Sequence, residues 1–395
     1  MFYRLPPVGN EILTQTGSPE HVTNAFLPDR AYFFNSGAAS LAAAVKAVVA
    51  ESDRAEPQVI VPAYTCPEVV SAVLFAGAQP VLVDYETDRP WLDLLELERK
   101  LTDNTVAIIA VNLFGIPERF ASLYNIIGLR HIRIIEDSAQ FFPSKRDEAN
   151  YQGDLVIHSF GRGKPVSVLG GGVVICRRPG LNERLNHVYQ SVDVEFGRVP
   201  VTWLKIKLYN LLISPRCYWL PESLPFLKLG QTVFHPLSGI QRMDAYKLRL
   251  LGANIAKYQK ACKGVQHSLA KVVSRYHHRG MIGLAEVSGC DAGVRLLRYP
   301  VLLATPRLRD RLYDELSREG LGVSKLYPGA LPAIEGLQAL LASQGRFANA
   351  ESFSQRLLTL PTHEGVTDRM LQAIGDVCGR VLSEYESYGK PSSVP

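Results

Sequence analysis

What most constrains the fold of this chain is a series of short, uninterrupted apolar runs separated by helical patterns, beginning at residue 31. The runs "QVIVPAY", "QPVLVDY", "VAIIAVNLF" and "IRIIED" are apolar at consecutive positions, not at alternate ones. A strand with one wet face shows a period of two, whereas a strand covered by helices on both faces does not. Helical stretches lie between the runs. "SGAASLAAAVKAVVAE" sets Leu41, Val45, Val48 and Val49 on one face and opens with Ser36 and Gly37. "PEVVSAVLFAG" starts with proline and ends with glycine, and "WLDLLELERKL" and "ERFASLYNIIGL" follow. This order predicts an α/β domain around a mainly parallel sheet. Two more strands, "LVIHSF" and "GGVVICR", flank the glycine-rich stretch that holds Lys164, with no full helix between them.

At 395 residues the chain is long for one domain and comfortable for two. The pattern divides it into an N-terminal arm (1–30), a large domain (31–250), a smaller C-terminal α+β domain (251–388) and a disordered tail (389–395). The small domain follows a helical region at about 240–275. It contains a strand in "GVRLLRYPVLLA" and helices in "RLRDRLYDELSREG", "SFSQRLLTL" and "RMLQAIGDVCGRVLSEY". Residues 199–235 interrupt the large domain with aromatics, leucines, lysines and prolines. They read as an insertion packed on the domain or on a partner subunit; a sharper reading lays them on a membrane surface. Pro215 and Pro221 break the helical moment and favour the first.

Charge and cysteine usage narrow the class. A net charge of +5 with no dense Lys/Arg block leaves no footprint for nucleic acid. The six cysteines are far apart, with neither a zinc spacing nor a disulfide framework, which fits a reducing compartment. His277 and His278 lie in a basic stretch and read as a solvated face, so no metal is expected. "MFYRLPPVGNEIL" has no apolar signal-peptide core, and no apolar run reaches the ~18 residues of a membrane span. The expected location is cytoplasmic.

Ligands of open α/β sheets bind at the carboxyl ends of the strands, and three features fall there. "FNSGAAS" turns into a helix whose free amides and dipole suit a phosphate. "IIEDSAQ" ends a buried strand on Asp137, a costly carboxylate unless a cation or donor meets it. "SFGRGK" presents Lys164; it is not a phosphate-binding Walker loop, because Pro165 follows the lysine and His158 holds the first glycine position. Each has an ordinary reading alone: a helix start, an N-cap, a structural lysine. Together they match what pyridoxal 5'-phosphate (PLP) requires, a phosphate cradle, a Schiff-base lysine and an acid against the pyridinium nitrogen. Glu136 is not paired with Asp137, since neighbouring strand residues point to opposite faces.

In the order and spacing of its motifs the sequence resembles the DegT/StrS family of PLP-dependent aminotransferases. The similarity runs through "LPPVGNEI", "NSGAASL", "VPAYTCPEVVSAVLFAGAQPVLVDYE", "AIIAVNLFGIP", "IIEDSAQ", "HSFGRGKPVSVLGGGVVI", "LGVSKLYPGALP" and "FANAESFSQRLLTLPTHEGVT". The resemblance implies fold type I: a large domain with a seven-stranded, mostly parallel sheet, a small C-terminal domain, and a homodimer with active sites at the interface. It implies Lys164 as the Schiff-base lysine, Asp137 on the pyridine nitrogen, Gln140 near the ring and Ser159 on the phosphate. Ala38 and Ala39 would give backbone N–H groups to the phosphate, and Tyr327 would contact substrate. The implied reaction moves an amino group, from glutamate, to a nucleotide-linked keto sugar of polysaccharide or secondary-metabolite biosynthesis.

The chain also departs from the family. The threonine of the phosphate turn is Ala38, a loss of about 1.5–3 kcal/mol for a hydrogen bond to a charged group; Ser159, the helix amides and Ser40 are left to compensate. The ring-stacking aromatic aligns with Cys66, with Tyr64 two positions earlier. The family's GEGG glutamate is Gly170, its histidine before the late tyrosine is Leu326, and its NYRMSEIQ segment reads "FHPLSGIQ". The changes cluster on substrate and cross-subunit contacts, and none falls on Lys164 or Asp137. They keep two alternatives open: a PLP-dependent sugar dehydratase, against which the retained Lys164 speaks, and a PLP-binding homologue without turnover.

Overall fold

The computed structural model describes residues 3–17, 21–22, 25–26, 30–144, 150–224, 232–261, 264–290 and 294–388. The expected tail at 389–395 lies outside them. Seven strands form the main sheet: β1 (Ala31–Phe34), β2 (Gln58–Pro62), β3 (Gln79–Val83), β4 (Thr105–Val111), β5 (Arg133–Asp137), β6 (Leu155–Ser159) and β7 (Gly172–Cys176). Their spatial order is β1-β7-β6-β5-β4-β2-β3. β3, β2, β4, β5 and β6 run parallel, while β7 and β1 are antiparallel to their neighbours.

The consecutive apolar runs follow from two covered faces. All seven residues of β4 are buried. Ala107, Ile109 and Val111 join the core on one side of the sheet, and Ile108 and Ala110 join the other. Each fully buried Ile or Val contributes roughly 1.5–3 kcal/mol, so neither face tolerates a polar residue cheaply. The helices expected between the strands form at Gly37–Glu51, Pro67–Phe75, Leu94–Lys100 and Phe120–Ile127.

A three-stranded antiparallel sheet, β10-β9-β8, forms the core of the smaller α+β unit, from β8 (Met281–Gly283), β9 (Arg298–Leu303) and β10 (Leu357–Pro361). Helices Pro306–Arg318 and Asp368–Tyr388 pack on each other beside it. The reading of "SFSQRLLTL" as one helix is corrected: helix Ala348–Arg356 ends there, and Leu357 starts β10. The helical region near 240–275 is two helices, Ala245–Lys260 and Gly264–Ser274.

Within the 199–235 segment, residues 225–231 lie outside the described part. Helix Val199–Ile213 is continuous, and Pro215 follows its end instead of dividing it. Ile206 anchors its inner face in the core, and Asn210 exchanges two hydrogen bonds with the backbone of Ile12 in the N-terminal arm, at 2.9 and 2.8 Å. Among the described residues no helix is long and apolar enough to cross a membrane.

Candidate active site

β5 and β6 are parallel neighbours, with Asp137 opposite Ile157. Both strands therefore end at the same edge of the sheet, Asp137 on one and Ser159 on the other. The chain leaves β6 into a loop that closes on itself: Phe160 N–H donates to Gly171 O at 2.8 Å, and Val168 N–H to Phe160 O at 3.0 Å. Val166 and Val168 plant this loop in the core. Lys164 is thus carried on a pinned turn, half-buried, and not on a free surface loop.

The third wall is the start of helix Gly37–Glu51. Ser36 caps it, its Oγ accepting from Ala39 N–H at 3.0 Å. The first turn of a helix leaves its amides without intrahelical partners. With Ala39 taken by the cap, the amides of Gly37 and Ala38 remain without a partner among the described residues. Two glycines let the helix come this close. A Cβ on Gly37 would lie 2.7 Å from Ser159 Cβ and Oγ, and one on Gly172 would lie 2.6 Å from Ser40 Oγ and 2.9 Å from Gly37 Cα.

These walls form a cavity open to solvent, about 360 Å³ with its mouth included, lined by Gly37, Ala38, Cys66, Glu68, Asp137, Ser159 and Lys164, with Leu41, Val69, Ala139 and Ile157 completing it. A larger cavity of about 780 Å³ touches the same loop at Pro165, Val166 and Ser167 but includes neither Lys164 nor Asp137. Size does not mark the reactive site here; chemistry does. Among the described residues no cluster of three His, Cys, Asp or Glu side chains could hold a metal ion.

Asp137 is only 8% exposed. One carboxylate oxygen accepts from Ala139 N–H at 2.9 Å; the other has no hydrogen-bond partner among the described residues. Burial pushes its pKa up, the Ala139 N–H and the positive charge of Lys164 pull it down, and Glu68 adds a smaller upward push. A cation inside the cavity would restore the charged form. Burial likewise drives the Cys66 thiol up to about 11, so it stays protonated near neutral pH and is no nucleophile. Tyr327 is held far above the usual tyrosine range by burial and by the neighbouring Cys66, Tyr64 and Asp137. Its hydroxyl is at 3.3 Å from Gln140 Nε2.

PLP fits this arrangement. Two free amides and a hydroxyl sit at a helix start that a single Cβ would fill, an unpaired carboxylate oxygen is available on the floor, and an amine stands at the wall. Lys164, Asp137, Ser159, Ala38 and Cys66 come together as the sequence suggests. Four expectations are corrected. Ala39 does not line the cavity, because its N–H serves the Ser36 cap. Ser40 turns inward and donates to Ser36 O at 3.1 Å. Tyr64 is fully buried, its hydroxyl at 3.3 Å from both the carbonyl and the N–H of Tyr327 and its ring against Tyr85, Tyr327 and Phe353. Gln140 sits behind the wall, accepting from Phe114 N–H at 3.0 Å and reaching the Tyr327 hydroxyl.

Glu68 is the cavity residue that the sequence reading missed; its signal was position, just past the carboxyl end of β2. Gly170, where the resemblance expects a glutamate, faces Lys247, whose Nζ would be 3.3 Å from a Cβ there. Lys247 instead pairs with Glu195 at 2.7 Å. Three residues outside glycine hold positive φ around the site: Phe114, Leu169 and Leu326, at 61°, 61° and 59°. Such conformations cost of order 1–3 kcal/mol each and persist where packing over-determines them. Leu326 is the one that delivers Tyr327 toward the cavity.

An open α/β sheet whose strand ends gather an amine, a carboxylate with one unpartnered oxygen and a helix start suited to phosphate defines a PLP enzyme of fold type I. The chain belongs to the DegT/DnrJ/EryC1/StrS aminotransferase family, whose model matches residues 25–196. It is 30% identical to the UDP-N-acetyl-3-dehydro-α-D-glucosamine 3-aminotransferase of Acidithiobacillus ferrooxidans over 333 residues, 82% of this chain and 78% of that one. It is 32% identical to the GDP-perosamine synthase of Escherichia coli O157:H7 over 133 residues; that match spans 33% of this chain and only 36% of the relative. The fold matches that of a putative sugar aminotransferase from Streptococcus pneumoniae, Spr1654, solved in its PMP form. The TM-score is 0.71 at 18% identity, over 98% of this chain and all of the other.

Proposed function

We propose that this protein transfers an amino group from an amino acid donor, glutamate, to the keto carbon of a nucleotide-linked sugar. The observation that carries this reading is the convergence of Lys164, Asp137, Ser159 and the Gly37–Glu51 helix start on one cavity. The sugar class rests on the relatives, whose names are those of a nucleotide-sugar 3-aminotransferase and a perosamine synthase.

When bound, PLP supplies an aldehyde carbon to carry the amino group and a ring that takes up the electrons released at the substrate carbon. The chain's own residues do the rest. The amides of Gly37 and Ala38, with Ser159 Oγ, would hold the phosphate end. Asp137 would offer its unpartnered oxygen to the ring nitrogen and keep a proton on it; without a cation there, burial pushes the carboxylate toward its neutral form. Nζ of Lys164 takes the proton from the donor's α-carbon as general base. The thiol of Cys66 and the hydroxyl of Tyr327, both protonated at neutral pH, can donate but not abstract. The working unit is a homodimer in the cytoplasm.

The test is to load the protein with pyridoxamine phosphate and add a panel of nucleotide-linked keto sugars and keto acids. Return of the aldehyde spectrum with an amino sugar as product is expected, and Lys164→Ala should abolish it. A Lys164→Ala protein that still aminates the sugar would overturn the assignment. A deoxygenated product without amine would establish the dehydratase reading, and a spectrum that no donor or acceptor changes would establish a binding protein.

A further inference from the structure

Helix Val199–Ile213 presents an unusual outer face. Val201, Leu204, Leu208 and Leu211 recur at three- and four-residue spacing and form one stripe, each between 44% and 61% exposed. At 100° per residue Lys205 and Lys207 stand on opposite flanks of that stripe. Trp203, beyond Lys207 around the helix, and Phe196, just ahead of the helix, are also exposed, each with a cation over its ring: Lys207 Nζ at 5.6 Å from Trp203, and Arg198 at 5.8 Å from Phe196. The helix is not loose. Ile206 is fully buried beneath it, Asn210 is bonded to Ile12 on both sides, and Arg4 N–H reaches Pro215 O at 2.9 Å. The stripe is therefore held outward.

The charge carried by the segment itself has one sign, and the two carboxylates that border it beside Val201 and Lys205, Glu195 and Asp244, are both engaged by Lys247. From Phe196 to Pro221 the sequence contains Arg198, Lys205, Lys207 and Arg216 and no Asp or Glu. The nearest acids on either side, Glu195 and Glu222, are already engaged by Lys247 and Arg4. A second copy of this chain meeting the patch about a two-fold axis would set the same surface against itself. A basic rim would meet a basic rim, and the bordering carboxylates Glu195 and Asp244 are already paired with Lys247. An anionic lipid surface supplies what is lacking: negative charge at headgroup level and hydrocarbon just below it.

We propose that this face docks on an anionic membrane surface. The helix lies in the interface plane, Leu204, Leu208 and Leu211 enter the acyl boundary, and Lys205 and Lys207 extend to the headgroups. At 15 residues the helix is too short to span a bilayer and long enough to lie on one.

The experiment is co-sedimentation of the full-length protein with vesicles of phosphatidylcholine alone and of phosphatidylcholine mixed with phosphatidylserine. Binding to the mixed vesicles only, weakened by salt, is expected. Leu204→Gln/Leu208→Gln should weaken it by more than about tenfold through lost apolar burial, and Lys205→Gln/Lys207→Gln by about tenfold or more through lost charge. Both variants should keep the parent's circular dichroism and its transamination, which use none of these side chains. Equal sedimentation of parent and leucine variant, or no sedimentation with either vesicle, would overturn the proposal. So would a leucine variant that turns a dimer into a monomer without any vesicle binding in the parent, since the face would then belong to a second copy.

Discussion

At the scale of single residues, the reactive groups were legible because their chemistry is expensive. A carboxylate at the end of a buried strand and a lysine among glycines both ask for a partner, and Asp137 and Lys164 find one cavity. Side-chain direction past the strand ends was not legible. Tyr64 and Cys66 lie two positions apart, yet Tyr64 fills the aromatic cluster with Tyr85 and Phe353 while Cys66 faces the cavity. The site therefore has a thiol where a ring would stack on the cofactor. Cys66→Phe is expected to add that stack, worth roughly 0.5–1.5 kcal/mol, and to slow cofactor loss about two- to tenfold. The rate at which the 400–430 nm band (an approximate cofactor property) fades during dilution measures this. An unchanged or faster loss would mean that the space beside Tyr327 is too tight for a ring.

At the scale of elements, the central strands were readable from composition because burial on both faces leaves no polar positions, as in β4. β10 was not, because "QRLLTL" continues the apolar spacing of the helix before it and nothing marks the change at Leu357; only the pairing with β9 settles it. The contact between helix Gly37–Glu51 and β7 was visible only as a run of glycines. Its meaning is geometric: Gly172 has no room for a Cβ against Ser40 Oγ, Ser36 O and Gly37 Cα, at 2.6, 2.8 and 2.9 Å. Gly172→Ala should push the helix start away from the strand, costing about 1–3 kcal/mol by overpacking, and release the cofactor. Adding Ser40→Ala removes the nearest clash but not the two backbone ones, so it should recover only part of the stability. Urea unfolding, with cofactor content after gel filtration, checks both. Full cofactor retention in Gly172→Ala would show that the cradle does not depend on this approach.

At the scale of the whole molecule, the buried ionisable groups pull stability in opposite directions with pH. Glu118, Glu136 and Asp137 are raised chiefly by burial. Their contribution is present at low pH and is lost as pH rises through their folded values. His158 does the reverse. It sits on β6 with Nδ1 at 3.2 and 3.0 Å from the Ser138 and Phe141 carbonyls and Nε2 at 2.8 Å from the Tyr151 hydroxyl. The two carbonyls require a proton on Nδ1, which leaves Nε2 to accept from Tyr151. Burial keeps this neutral ring from taking a second proton until about pH 4. An unfolded chain takes that proton near pH 6.5. The His158 contribution is therefore complete above that value and drains away as pH falls toward 4, on the order of 2–3 kcal/mol by about pH 4.5. Because the carboxylates move the other way, the wild-type curve alone does not isolate it. His158→Gln should lose less stability than the wild type between pH 7 and about 4.5, by roughly that amount. Urea midpoints at the two pH values give the difference directly, and identical losses in the two proteins would mean that the pocket beneath the lysine loop accepts a charged imidazole.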